Sequence, residues 1–172
     1  MSQTPKITKV YKDNGFIGLS QCPGKNCQGR NGNLFKNNLK KDLLNFKSQN
    51  VSIILCLLNK YELWTLGVDL SKYQDLSKNF KIEFFHLEII EMGVPTQSEK
   101  TIRDLLDYLV SQIKLGKGLL IHCRGGVGWA GLMAGMLLKD LGQFQDVKKC
   151  LLFLWKTRHK RCVESMKQVD YL

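Results

Sequence analysis

The chain has 172 residues, 44% hydrophobic and 24% charged, the balance of one globular domain with room for a core. The longest apolar run, 51–58, is far too short to span a bilayer, and the opening stretch MSQTPKITKVYKDNG has neither an apolar segment nor a small-residue cleavage site, so no membrane span and no signal peptide are expected. A net charge of +11, from 26 basic and 15 acidic residues, favours acidic partners (phosphoproteins, tubulin-like surfaces, nucleic acid, anionic lipid) without selecting among them, and a solvated basic face explains it equally well.

Taken in chain order, residues 14–20 (NGFIGLS) read as a short strand, followed by the loop QCPGKNCQGRNGN with Cys22 and Cys27. Zinc would need a second close pair, so the segment reads as a loop, and neither metal nor cofactor is expected. The six cysteines are scattered, with Cys56 and Cys150 inside apolar segments, as in a reduced protein of the cytoplasm, nucleus or cytoskeleton. Apolar residues at 39, 43, 44 and 46 behind an Asn cap at 37 or 38 predict a helix. The β-branched run 51–58 (VSIILCLL) suits a strand buried on both faces. Short helices are expected at 60–66 and 71–78, then a strand over 80–89 (FKIEFFHLEI). In PTQSEKTIRDLLDYLVSQIKLGKG, Thr96 caps a helix, Glu99 completes a capping box and Gly116 stops it; residues 102, 105, 106, 109 and 113 form one apolar stripe. A buried strand at 118–122 (GLLIH) precedes helices at 129–141, 144–157 and 164–172. Alternating strands and helices imply an α/β fold: a central, mostly parallel sheet flanked by helices, as a single domain over 1–172.

Ligands in such sheets sit beyond the carboxyl ends of the strands, where loops lead into helices. HCRGGVG occupies that place. Gly125, Gly126 and Gly128 let backbone N–H groups curl around an anion, and the following helix points its positive end at the same spot. Cys123, at the strand exit, should gain thiolate character from these dipoles. The alternative, a tight glycine turn with a chance cysteine, does not account for strand, His-Cys, glycines and helix arriving in that order. The combination describes a cysteine-dependent phosphate-ester hydrolase.

This loop resembles that of the cysteine-based protein tyrosine and dual-specificity phosphatases, whose signature is His-Cys-x-x-Gly-x-x-Arg-Ser/Thr. The chain reads His122-Cys123-Arg124-Gly125-Gly126-Val127-Gly128-Trp129-Ala130. The similarity extends over most of the sequence, through FIGLSQCPGK, ILCLLNKYEL, GVPTQSEKTIRDLL and VESMKQVDYL, and is closest to the small members that act on phosphorylated cyclin-dependent kinases. It implies the phosphatase fold, with Cys123 at the nucleophile position and residues 122–128 as the phosphate-binding loop. It also marks departures. The signature arginine falls on Trp129; a guanidinium there would fork two charge-assisted hydrogen bonds onto the phosphoryl oxygens, whereas indole offers one neutral donor and a large ring. Two such bonds at about 1.5–3 kcal/mol each correspond to a rate loss on the order of 10²–10⁴. Ala130 replaces the hydroxyl that helps the thiolate leave. At the general-acid position the family's aspartate is Glu91, one methylene longer. Arg124 follows the nucleophile at a variable position expected to point outward, and Glu164 stands where relatives carry a water-positioning glutamine, so its charge would repel a phosphate dianion. His86 and His122 read as structural, and His159, in KTRHKR, as part of a solvated helix end.

Two readings follow. In the first, the chain is a catalytically inactive phosphatase-like protein, a pseudophosphatase serving as a protein-binding or structural module in a larger assembly, with Trp129 filling the pocket or anchoring a partner such as a phosphoprotein, a kinase or an acidic tubulin-like surface. In the second it is a slow phosphatase using Cys123 and Glu91. RNA 5′ phosphates rank lower, because the same arginine is missing and no aromatic RNA-binding signature is present. A redox-sensitive thiol at Cys123 is compatible with either reading.

Overall fold

In the computed structural model, which describes residues 4–29, 32–90 and 93–172, five strands form one sheet. They are β1 (Thr8–Lys12), β2 (Phe16–Gln21), β3 (Val51–Cys56), β4 (Glu83–His86) and β5 (Gly118–Cys123), in the order β1-β2-β5-β3-β4. The pairs β2–β5, β5–β3 and β3–β4 are parallel, and β1 pairs antiparallel with β2. Strand β5 is central and buried at every position, which explains the apolar run Leu119-Leu120-Ile121 that leads to His122. Its register sets Cys123 opposite Gln21 and His122 opposite Cys56, so three parallel strands end together.

The helices are α1 (Leu39–Ser48), α2 (Lys60–Thr65), α3 (Leu70–Asn79), α4 (Glu99–Lys114), α5 (Gly128–Asp140), α6 (Val147–Thr157) and α7 (Met166–Tyr171). Helices α1 and α3 pack on β3 and β4, while α4, α5 and α6 pack on β5, β2 and β1, giving the expected sheet flanked by helices. Helix α5 has ten of its 13 residues buried. It is apolar all round because the sheet, α4 and α6 all pack against it. Filling this core with large side chains contributes about 1.5–3 kcal/mol for each one fully buried. Among the described residues no helix is long and apolar enough to cross a membrane.

Three expectations need correction. The sheet begins earlier than residue 14: β1 is an added edge strand joined to β2 by a tight turn in which the Asp13 N–H donates to the Gly15 carbonyl at 2.9 Å. The strand expected over 80–89 is shorter, because α3 ends on Phe80 and Lys81 takes φ 56°, so regular pairing starts at Glu83. Helix α4 is capped by Ser98 rather than Thr96; the Ser98 hydroxyl accepts from the Thr101 N–H at 3.2 Å, which puts Glu99 at the first helical position and leaves no capping box with Thr96. Ile89 and Pro95 form an isolated antiparallel bridge shortly before the cap.

Candidate functional site

Where β5 ends, the chain bends through residues 124–127 and enters α5. Gly126 has φ 66°, and a Cβ there would lie 2.0 Å from the Ser20 carbonyl oxygen, so only glycine lets the loop fold back against the end of β2. Arg158, just past α6, holds the loop from outside. Its Nε donates to the Gly126 carbonyl at 2.9 Å, Nη2 to the Gly125 carbonyl at 3.1 Å and Nη1 to Thr8 Oγ1 at 2.8 Å. Each trans peptide sets its N–H opposite its carbonyl. Anchoring these two carbonyls therefore turns the N–H groups of Gly126 and Val127 away from Arg158. Val127 caps α5 without any side-chain hydrogen bond, so the positive end of that helix has no internal anion on its cap.

The loop forms one wall of a cavity of about 540 Å³, with Cys123, Arg124, Gly125, Val127, Gly128 and Trp129 along it. Lys25, Asn33 and Phe35 face it from the β2–α1 connection, Glu62 from α2, and His159, Arg161 and Glu164 from the α6–α7 connection. Cys123 is 6% exposed and Trp129 7%, so the indole is at once core and cavity wall, while Ala130 behind it is fully buried. Glu164 packs on the loop: a Cβ on Gly128 would lie 2.3 Å from its Oε2, and its Oε1 accepts an ion pair from Arg161 Nη2 at 3.3 Å.

His122 does not reach the cavity. It is fully buried, with Nε2 3.0 Å from the Tyr73 hydroxyl and Nδ1 3.4 Å from the Cys123 carbonyl. Burial pushes its pKa down to about 4, with nearby His86 adding to the effect and the Cys123 carbonyl opposing it. A neutral His122 under the loop fixes the direction of the Cys123 peptide, as expected for a structural histidine. His86 closes β4 with Nε2 on the Leu58 carbonyl at 2.6 Å. All six cysteines are free thiols, and burial raises those of Cys56 to about 12 and of Cys150 and Cys162 to about 11.

The structure thus gathers Cys123, Arg124, Gly125, Val127, Gly128 and Trp129 at one cavity, with Gly126, His122 and Ala130 directly behind it. Glu91 lies outside the described residues. Arg124, expected to point outward, is half-buried in the cavity wall, whereas His159 lies just past the end of α6 and is exposed, as expected of a solvated helix end, and with Arg161 it also lines the cavity. Lys25 and Arg158 were not anticipated. Lys25 closes FIGLSQCPGK and Arg158 lies within KTRHKR, and each reaches the loop from another part of the chain. Among the described residues no group of His, Cys, Asp and Glu could hold a metal.

A family model described as polymorphic toxin system, DSP-PTPase phosphatase, matches residues 31–143. Cyclin-dependent kinase inhibitor 3 of Rattus norvegicus and of Homo sapiens are 26% and 27% identical to this chain over 162 residues, spanning 91% of it and 70% of each relative. Among solved structures, kinase associated phosphatase with its catalytic-site cysteine replaced by serine superposes with a TM-score of 0.84 at 24% identity, over 99% of this chain and 93% of that one. Human tyrosine phosphatase-like serine/threonine/tyrosine-interacting protein superposes with a TM-score of 0.65 at 10% identity, over 95% and 91%. Both structural likenesses concern the fold.

Proposed function

The chain belongs to the DSP-PTPase phosphatase family, and from that premise we propose that it is a catalytically inactive member, a pseudophosphatase that works as a protein-binding or structural module. Trp129 carries this reading. It stands in the first turn of α5, at the signature arginine's position, packed into the cavity wall at 7% exposure. No guanidinium can fork onto a phosphoryl group from there, and Ala130 brings no hydroxyl to the leaving thiolate. The loop's backbone scaffold, by contrast, is intact and anchored by Arg158. Such a site has lost the groups that act in the transition state and kept those that bind an anion. Its partners would be a phosphoprotein or a protein kinase, in line with the names of the kinase-associated relatives. Basic side chains at the cavity mouth (Arg124, Arg161) suit such a phosphorylated surface.

Slow hydrolysis remains the second reading, favoured by Cys123 lining the cavity. Hydrolysis of a small aryl phosphate by four purified proteins separates the two: wild type, Cys123→Ser, Trp129→Arg, and Trp129→Arg with Ala130→Ser. The proposal expects wild type to match Cys123→Ser and the double variant to turn over at least about 10²-fold faster, the low end of what two charge-assisted bonds supply. Wild-type activity clearly above that of Cys123→Ser overturns the pseudophosphatase reading.

A further inference from the structure

Lys25 is a buried cation beside the loop. It is 8% exposed and lines the same cavity as Cys123 and Trp129. Its backbone is held in place on every side: Gly24 N–H donates to Asp42 Oδ2 at 2.7 Å, Asn26 N–H to the Leu66 carbonyl at 2.8 Å, and Asn37 N–H to the Lys25 carbonyl at 3.0 Å. The Nζ sits 3.6 Å from the centroid of the Phe35 ring. A ring face steadies an ammonium but does not neutralise it.

Buried charges are normally paired. Among the described residues no carboxylate pairs with Lys25 or with Arg124, which shares the cavity wall and repels it. Two acids line the cavity, and both are engaged elsewhere. Glu62 accepts from the Asn59 N–H at 3.1 Å in the capping box of α2, and Glu164 pairs with Arg161. Burial lowers the Lys25 pKa and Arg124 adds to the effect, against an opposing influence of the Cys27 and Cys22 thiols. The positive end of α5 lines the same cavity with no side-chain hydrogen bond to its cap, and the Glu164 carboxylate that packs against Gly128 there is paired with Arg161. Two independent sources of positive potential therefore line one space, in which, among the described residues, the two lining carboxylates are already engaged by Asn59 and Arg161.

We propose that Lys25 replaces, for binding, the charge lost at Trp129: the cavity takes a phosphomonoester dianion between the Lys25 ammonium and the N–H groups at the start of α5, with the rings of Phe35 and Trp129 beside its organic group. An ammonium is a point charge where a guanidinium is a fork, so it attracts the dianion without the bidentate grip that follows the phosphoryl group into the transition state. Binding without turnover is the consequence. The inference rests on the binding reading above and names the residue responsible.

Calorimetric titration tests it, with phenyl phosphate, inorganic phosphate and inorganic sulfate as probes. All proteins carry Cys123→Ser so that no probe is consumed. The parent is compared with Lys25→Gln, Lys25→Arg and, as a charge control at the far end of β5, Lys114→Gln. The expected result is phenyl phosphate bound more tightly than either inorganic ion, a loss of about tenfold or more in Lys25→Gln, retention in Lys25→Arg and no change in Lys114→Gln. If Lys25→Gln does not fold, Lys25→Met, which keeps the stem beside Phe35, carries the same expectation. Equal affinity in the parent and the neutral Lys25 variants overturns the role of Lys25 while leaving the binding module standing. A parent that binds none of the probes overturns both.

Discussion

Arg158 and Gly126 are joined by a 2.9 Å hydrogen bond from the guanidinium Nε to the glycine carbonyl, across the outside of the loop. The same side chain reaches Gly125 and Thr8, so one residue fastens the loop to the edge strand β1. Bonds from a charged donor are worth about 1.5–3 kcal/mol each, less where water can replace the donor. Arg158→Met is therefore expected to lower stability by roughly 2–4 kcal/mol in denaturant unfolding. Arg158→Lys should recover less than half of that loss, since an ammonium cannot span three acceptors. A methionine variant as stable as wild type would show that the loop holds its shape unaided.

The His122 environment predicts a pH dependence of stability. Its pKa falls from the ordinary 6.5 to about 4 on folding, chiefly through burial. The unfolded chain thus takes up a proton that the folded chain refuses. Stability from this group is complete above the unfolded value and is lost as pH falls from 6.5 toward 4. The loss amounts to about 3 kcal/mol. Urea unfolding across that range should show the slope in wild type and a flatter profile in His122→Gln. Parallel profiles would place the titration elsewhere.

Glu164 puts a negative charge against Gly128, where a dianion would approach the start of α5. Glu164→Gln removes that repulsion and releases Arg161 from its ion pair. The expected gain in affinity for phenyl phosphate is about three- to tenfold, the scale of one partly screened charge at the mouth of a site. Unchanged or weaker binding would mean that the carboxylate lies outside the path of the anion.

The central sheet and the loop were legible because their signals are local and periodic. The run over 118–121 is apolar as β5 is buried throughout, and Gly126 sits where the backbone has no room for a Cβ. Strand β1 was not legible: five edge residues of which only Val10 is buried, followed by Asp13-Asn14-Gly15, resemble a polar lead-in until their partner is known. Thr96 and Ser98 are both capable caps two residues apart, and nothing local in the sequence separates them; in the fold Ser98 takes the role. Lys25 and Arg158 were missed for a related reason. Both lie in stretches the sequence singles out, FIGLSQCPGK and KTRHKR, but their roles come from what the fold brings against them.

Of the three tryptophans, Trp64 is 71% exposed, Trp155 40% and Trp129 7%. Iodide in solution will collide with the first two and scarcely with the third, leaving a blue-shifted residual emission that comes from the indole in the cavity wall. Trp129 is therefore also a built-in fluorophore at the proposed binding site. A shift in that residual emission reports occupancy in the unmodified protein, with no label attached.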